Sequence, residues 1–176
     1  EIYDESNLLE QIISHDREYV VIRQFWAVAN RDVYGEYAYD RIRPSRMILQ
    51  KYNEIKRRLI DGPYNFIHYR YETDFINHFD ISVDSLDSIL ASVKFKNNDC
   101  KVFVATSNIQ KLLDLEDERY KNILFKDDTA LLDLNFEQRA FIDYLFGLDS
   151  LECCGHSKSS FSHMLNKLKG TANFYA

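Results

Sequence analysis

The segment Tyr64-Asn65-Phe66-Ile67-His68-Tyr69-Arg70-Tyr71 most restricts what this chain can become. Pro63 stands before it and ends any preceding helix, because proline breaks the hydrogen-bond ladder. The aromatic and β-branched residues that follow favour a strand. Side chains alternate along a strand, so Tyr64, Phe66, His68, Arg70 and Glu72 share one face, and Ile67, Tyr69 and Tyr71 the other. Large apolar bodies on both faces at first suit a central strand covered on both sides. An imidazole and a guanidinium then arrive together where the strand should end. Open α/β sheets bind ligands off the carboxyl ends of their strands. An arginine there suits phosphate, since its planar fork donates in pairs and stays charged. The same residues also admit a structural reading, with Arg70 paired to Glu72 or Asp74 and His68 a satisfied core histidine.

Strand and helix patterns alternate from Gly62 onward. A strand over 64–71 is followed by 74–79 and a helix near 85–95. A buried strand over 101–107, KVFVATS, precedes a short helix over 109–115 and a third strand over 120–125. A strong helix covers 135–148, a short fourth strand 151–154, and a last helix 159–168, stopped at Gly170. Such alternation predicts right-handed crossovers in a parallel sheet. Upstream, residues 6–15 read as a short helix, 19–25 as a strand and 26–39 as irregular. Pro44 sits in the first turn of a helix that runs to about Ile60, with Ile48, Tyr52, Ile55 and Leu59 at helical spacing. Arg41, Arg43 and Arg46 at its start read as a solvated basic face.

Composition narrows the function. The 176 residues, 45% hydrophobic and 28% charged, suffice for one domain with a core. A net charge of −6 argues against broad nucleic-acid binding. The three cysteines, Cys100, Cys153 and Cys154, form no disulfide framework and no C-x-x-C site. On a strand, Cys153 and Cys154 point to opposite faces as small hydrophobes. No stretch approaches the ~20 apolar residues that span a membrane. The chain begins at Glu1 rather than Met and looks like a piece of a longer protein.

Two further clusters point to chemistry. Gly155-His156-Ser157-Lys158-Ser159-Ser160-Phe161 lies between the last strand and the last helix. A strand, a turn of small residues and a helix N-terminus form an anion site through free N–H groups and the positive dipole end; plain capping by serine is the alternative. Asp143 falls in line with Phe136, Ala140 and Gly147 on one helix stripe. A carboxylate on an apolar stripe needs hydrogen-bond donors. A guanine edge offers two, N1–H and N2–H, and an internal salt bridge to Arg139 or His68 is the other solution.

The run His68-Tyr69-Arg70-Tyr71-Glu72-Thr73-Asp74 resembles the H-x-R-x-x-x-D signature of GDP-fucose-dependent fucosyltransferases, closest to the protein O-fucosyltransferase branch. KVFVATS is similar to that family's VYVATD strand, and Asp143, Gly155 and Ser159-Ser160-Phe161 fit its D…G…SSF pattern. The resemblance covers roughly residues 64–170. It implies an α/β fold with a Rossmann-like parallel sheet, the C-terminal nucleotide-sugar-binding domain of a GT-B glycosyltransferase. Residues 62–176 would form that domain, and 1–61 the end of an N-terminal domain plus the connecting helix. His68 and Asp143 would hold guanine. Arg70 would bind the β-phosphate and carry the catalytic charge stabilisation, with Ser159, Ser160 and Phe161 on the diphosphate. Asp74, Thr106, Ser107 and Gly155 are further candidates. The implied reaction is inverting transfer of L-fucose from GDP-fucose to a glycan or protein hydroxyl, with no metal and no other cofactor. Family habit places such enzymes in the secretory lumen, while the few cysteines fit the cytoplasm. Ser107 and Leu151 stand where the family often has Asp, and its Gly- and Asn-rich N-terminal motif is missing. These departures make a non-catalytic GDP-sugar-binding or structural module the alternative.

Overall fold

The computed structural model describes residues 43–106, 120–126 and 131–175. The helix 6–15, the strand 19–25, the irregular stretch 26–39, the helix 109–115 and the candidate Ser107 lie outside the described residues. The described part falls within one compact unit, Arg43–Ala176.

Helix α1 spans Arg46–Leu59 and is opened by the Ser45 side chain, which accepts from Ile48 N at 3.3 Å. Strand β1 is Tyr64–His68, followed by helices α2, Thr73–Phe79, and α3, Leu86–Ser92. Strand β2 is Lys101–Ala105 and β3 is Ile123–Leu124. Helix α4, Phe136–Asp149, starts in a full capping box between Asn135 and Gln138. Strand β4 is Cys153–His156, α5 is Ser160–Lys169, and β5 is Phe174–Tyr175. Gly170 ends α5 in the left-handed conformation (φ 64°), as its position in the sequence predicts.

The sheet runs β3-β2-β1-β4-β5 and every described pairing is parallel. This is the Rossmann-like order, with β1 at the switch point between its two neighbours. The two predicted faces of β1 pack as expected. Tyr64 and Phe66 enter a core with α1, α4 and α5 through Ile48, Ile142, Phe146 and Leu165. Phe103 stacks on Phe146 with centroids 4.2 Å apart. Ile67 and Tyr69 enter the opposite core with Leu86 and Ile89 of α3. Cys153 and Cys154 divide between the same two cores.

Strand lengths differ from the sequence expectation. β1 stops at His68, β2 at Ala105, and β3 keeps only Ile123–Leu124 of the expected 120–125, with Tyr120 in a 3-10 turn. β4 is shifted to 153–156, and β5 was not anticipated. Strand propensity is a side-chain property, but a strand lasts only while a neighbour supplies hydrogen bonds. β3 meets its neighbour only at Val102 and Phe103, so it ends there.

Candidate functional site

Beyond the carboxyl ends of β1, β2 and β3 lies a cleft. It is lined by His68, Arg70, Glu72, Thr106, Lys126, Phe136, Arg139, Ala140, Asp143 and Phe161. The topology explains the gathering. His68 is the last residue of β1, Thr106 follows β2 and Lys126 follows β3. Phe136, Arg139, Ala140 and Asp143 come from the cleft-facing stripe of α4, and Phe161 from the first turn of α5.

His68 pairs in register with Gly155 of β4. A Cβ on Gly155 would meet Ser162 Oγ at 2.2 Å and His68 Cβ at 3.3 Å, so glycine permits this close approach of α5 to the sheet. His68 Nδ1 is hydrogen-bonded with the Ser162 hydroxyl at 3.0 Å, and its ring packs on Phe161 at 4.4 Å. Burial, then the charges of Arg70 and Lys126, push its pKa down to about 3, so the imidazole is neutral at pH 7.

Arg70 makes the ion pairs read from the sequence and also lines the cleft. Its guanidinium lines the cleft while forming ion pairs with Glu72 at 3.3 Å and Asp74 at 3.6 Å, and it lies over the Phe75 ring at 4.9 Å. Its backbone is pinned from the far edge of the sheet. The Tyr175 hydroxyl donates to His68 O at 2.8 Å and accepts from Arg70 N at 3.0 Å.

Asp143 is buried and paired with Lys126, its Oδ2 accepting from the ammonium. The two internal partners weighed from the sequence, Arg139 and His68, are therefore replaced by a lysine that follows β3. Arg139, one turn earlier on α4, lines the cleft with its Nε buried and without a hydrogen-bond partner among the described residues.

The serines divide. Ser159 is buried, and its hydroxyl lies 3.5 Å from His68 Nδ1 rather than capping α5. The plain N-cap reading thus fails for Ser159, and the first N–H groups of α5 receive no side-chain cap. Ser160 is exposed at the first position of that helix. Neither serine is among the cleft-lining residues, whereas Phe161 is. Asp74 stands outside the cleft with its side chain 76% exposed, bound to Arg70. Thr106 is buried on the cleft wall.

No family model matches this sequence, and no curated protein is significantly similar to it. Solved structures are. The NodZ alpha-1,6-fucosyltransferase co-crystallised with GDP superposes with a TM-score of 0.54 at 14% identity, covering 93% of this chain. The fucosyltransferase NodZ from Bradyrhizobium gives 0.55 at 13% identity, also over 93%. The chain spans 57% of the length of each. The fold is fucosyltransferase-like. The α/β class with a Rossmann-like parallel sheet of the GT-B type, expected from the sequence, is the one observed.

Lys126 and Arg139 are two of the cleft residues that sequence reasoning did not place there. Arg139 was visible only as a neighbour of Asp143 on one helix. Lys126 offered no signal, since a lysine followed by two aspartates looks like an ordinary surface turn.

Proposed function

We propose that this chain is the nucleotide-sugar-binding half of a GT-B fucosyltransferase of the protein O-fucosyltransferase type, taking GDP-fucose as donor. One observation carries the reading. Arg70, His68, Asp143 and Phe161 surround a single cleft at the carboxyl edge of a parallel sheet, beside the uncapped tip of α5. Arg70 takes the β-phosphate through paired N–H donors. The amides at the tip of α5, that of Phe161 among them, take the remaining diphosphate oxygens. His68, neutral, and Asp143 take the guanine edge.

The reaction is a single inverting displacement. An acceptor hydroxyl oxygen forms a bond to the anomeric carbon as the bond from that carbon to the β-phosphate oxygen breaks. The bonding pair leaves with GDP, and the hydroxyl proton passes to a base or to water. Negative charge grows on the β-phosphate, where Arg70 and the helix tip stabilise it without a metal. The acceptor is a glycan or protein hydroxyl. Among the described residues no helix is long and apolar enough to cross a membrane.

Thermal shift with GDP, GDP-fucose, UDP and ADP tests the donor, because a ligand stabilises the state it binds. Stabilisation by the guanine nucleotides alone is expected; equal shifts with all four would remove the reading. Release of GDP from GDP-fucose when an acceptor is added then separates a working transferase from a module that only binds. Ser107, which stands where the resembling family often has Asp, favours that second possibility.

A further inference from the structure

Arg139 stands on the cleft-facing stripe of α4, one turn before Asp143, and it lines the cleft. The residue is half-buried, and its Nε is shielded from solvent with no hydrogen-bond partner. Among the described residues it forms no ion pair. An arginine that serves the fold meets carboxylates, as Arg70 meets Glu72 and Asp74. Leaving a donor of a charged group shielded and unmet is unfavourable, and no contact within the fold offsets it. The side chain is therefore placed for something that enters the cleft.

Charge decides what that is. The Arg70 fork is shared with Glu72 and Asp74, and the Lys126 ammonium is paired with Asp143. His68 is neutral at pH 7. A diphosphate brings more negative charge than a guanidinium already held by carboxylates can balance. Arg139 is a cleft cation whose charge no described carboxylate takes, and its planar donors match phosphate oxygens. Position decides which phosphate. With the base at Asp143 and the β-phosphate at Arg70, the α-phosphate lies between them. Side chains four apart on a helix are neighbours, so Arg139 meets the group next to the nucleoside.

We propose that Arg139 is a binding residue for the α-phosphate, closing on the diphosphate from the α4 wall while Arg70 and the tip of α5 hold it from the sheet side. This rests on the donor-binding reading above and adds a residue that reading does not use.

The test is calorimetric titration of the full chain with GDP and GMP, with guanosine measured by displacement of GDP. Wild type should bind GMP about tenfold or more tighter than guanosine, the range of a hydrogen bond to a charged group. Arg139→Gln keeps a polar side chain without the charge. It should bind guanosine as wild type does, lose the gain from guanosine to GMP, and bind GDP weaker by the same factor. Arg139→Lys keeps the charge without the paired donors and should retain part of the gain. Arg70→Ala gives the contrast, since GMP has no β-phosphate: its GMP affinity should stay at the wild-type level while its GDP affinity falls. A structural Arg139 would show in unfolding instead. With no ion pair to lose, Arg139→Gln should melt at or above the wild-type temperature without ligand. An undiminished gain from guanosine to GMP in Arg139→Gln overturns the assignment and leaves the donor reading standing. A lowered melting temperature with equal losses for all three ligands overturns it too. No GDP binding by wild type overturns both. If guanosine binds too weakly to measure, equal loss of GMP and GDP affinity in Arg139→Gln supports the assignment, and unchanged GMP affinity overturns it.

Discussion

Arg70 is bound by two carboxylates and still lines the cleft, and that combination makes it useful. Glu72 and Asp74 hold the fork in one orientation, so on the proposed reading little side-chain freedom remains to be lost when the donor phosphate binds. Its ion pairs are partly exposed and contribute little to the fold. Arg70→Ala should therefore remove stabilisation by GDP, a loss of about 2–3 kcal/mol of binding, while the unliganded melting temperature stays near wild type. GDP binding unchanged by calorimetry would show that Arg70 holds only its neighbours. Asp143 makes a different prediction. Asp143→Asn keeps the shape but loses the charge, so it should reduce the preference for GDP over ADP about tenfold, on the order of 1–2 kcal/mol. An unchanged ratio of the two dissociation constants would take Asp143 out of the base site.

At the level of elements, the site depends on how closely α5 approaches β4 and β1. Gly155 makes room for the Ser162 hydroxyl, which fixes His68, and Gly147 on α4 does the same for Leu165, whose Cδ1 would lie 2.6 Å from an added Cβ. These contacts are between rigid elements, and neither clash is relieved by moving a surface side chain. Gly155→Ala should push the tip of α5 off the sheet, destabilising the fold by about 1–3 kcal/mol. It should weaken GDP binding as well, because the helix N–H groups move with the tip. Urea unfolding and GDP titration of the same variant check both halves, and a full-strength GDP response would separate the helix tip from the diphosphate. The two-residue β5 acts at the same scale. Tyr175 reaches from that edge strand to His68 O and Arg70 N and holds the segment that presents Arg70.

Over the whole molecule, the neutral, buried His68 links stability to pH. Its pKa falls from an ordinary 6.5 to about 3 in the native state, first through burial and then through the charges of Arg70 and Lys126. As pH drops below 6.5 the unfolded chain takes up a proton that the native chain refuses until about pH 3. Its contribution to stability is thus fully present above pH 6.5 and is lost progressively on acidification toward pH 3. His156, lowered by burial and Lys158, acts in the same direction. Replacing His68 by Gln should flatten the decline in unfolding free energy between pH 6.5 and 4, measured by denaturant titration against wild type. A variant that follows the wild-type slope would mean that His68 is charged in the native protein. A nucleotide diphosphate bound beside this imidazole would oppose the fall in its pKa, so the same titration with GDP present reports on the site as well.

Local regularities were enough for much of this molecule. The alternation of apolar side chains named both faces of β1, the 3.6-residue stripe put Asp143 in line with Phe136 and Ala140, and Gly170 marked the end of α5. Each depends only on neighbours along the chain, which share one backbone geometry. The sheet edges and the partners of the charged groups were decided in three dimensions. Asp143 found Lys126 across 17 residues, and Arg70 is steadied by a tyrosine 105 residues away. Charge and hydrogen-bonding capacity are written in each residue, but their satisfaction depends on which strands lie side by side. That order arises when the two hydrophobic cores close over the sheet, and only then do His68, Arg70, Lys126 and Asp143 share one cleft.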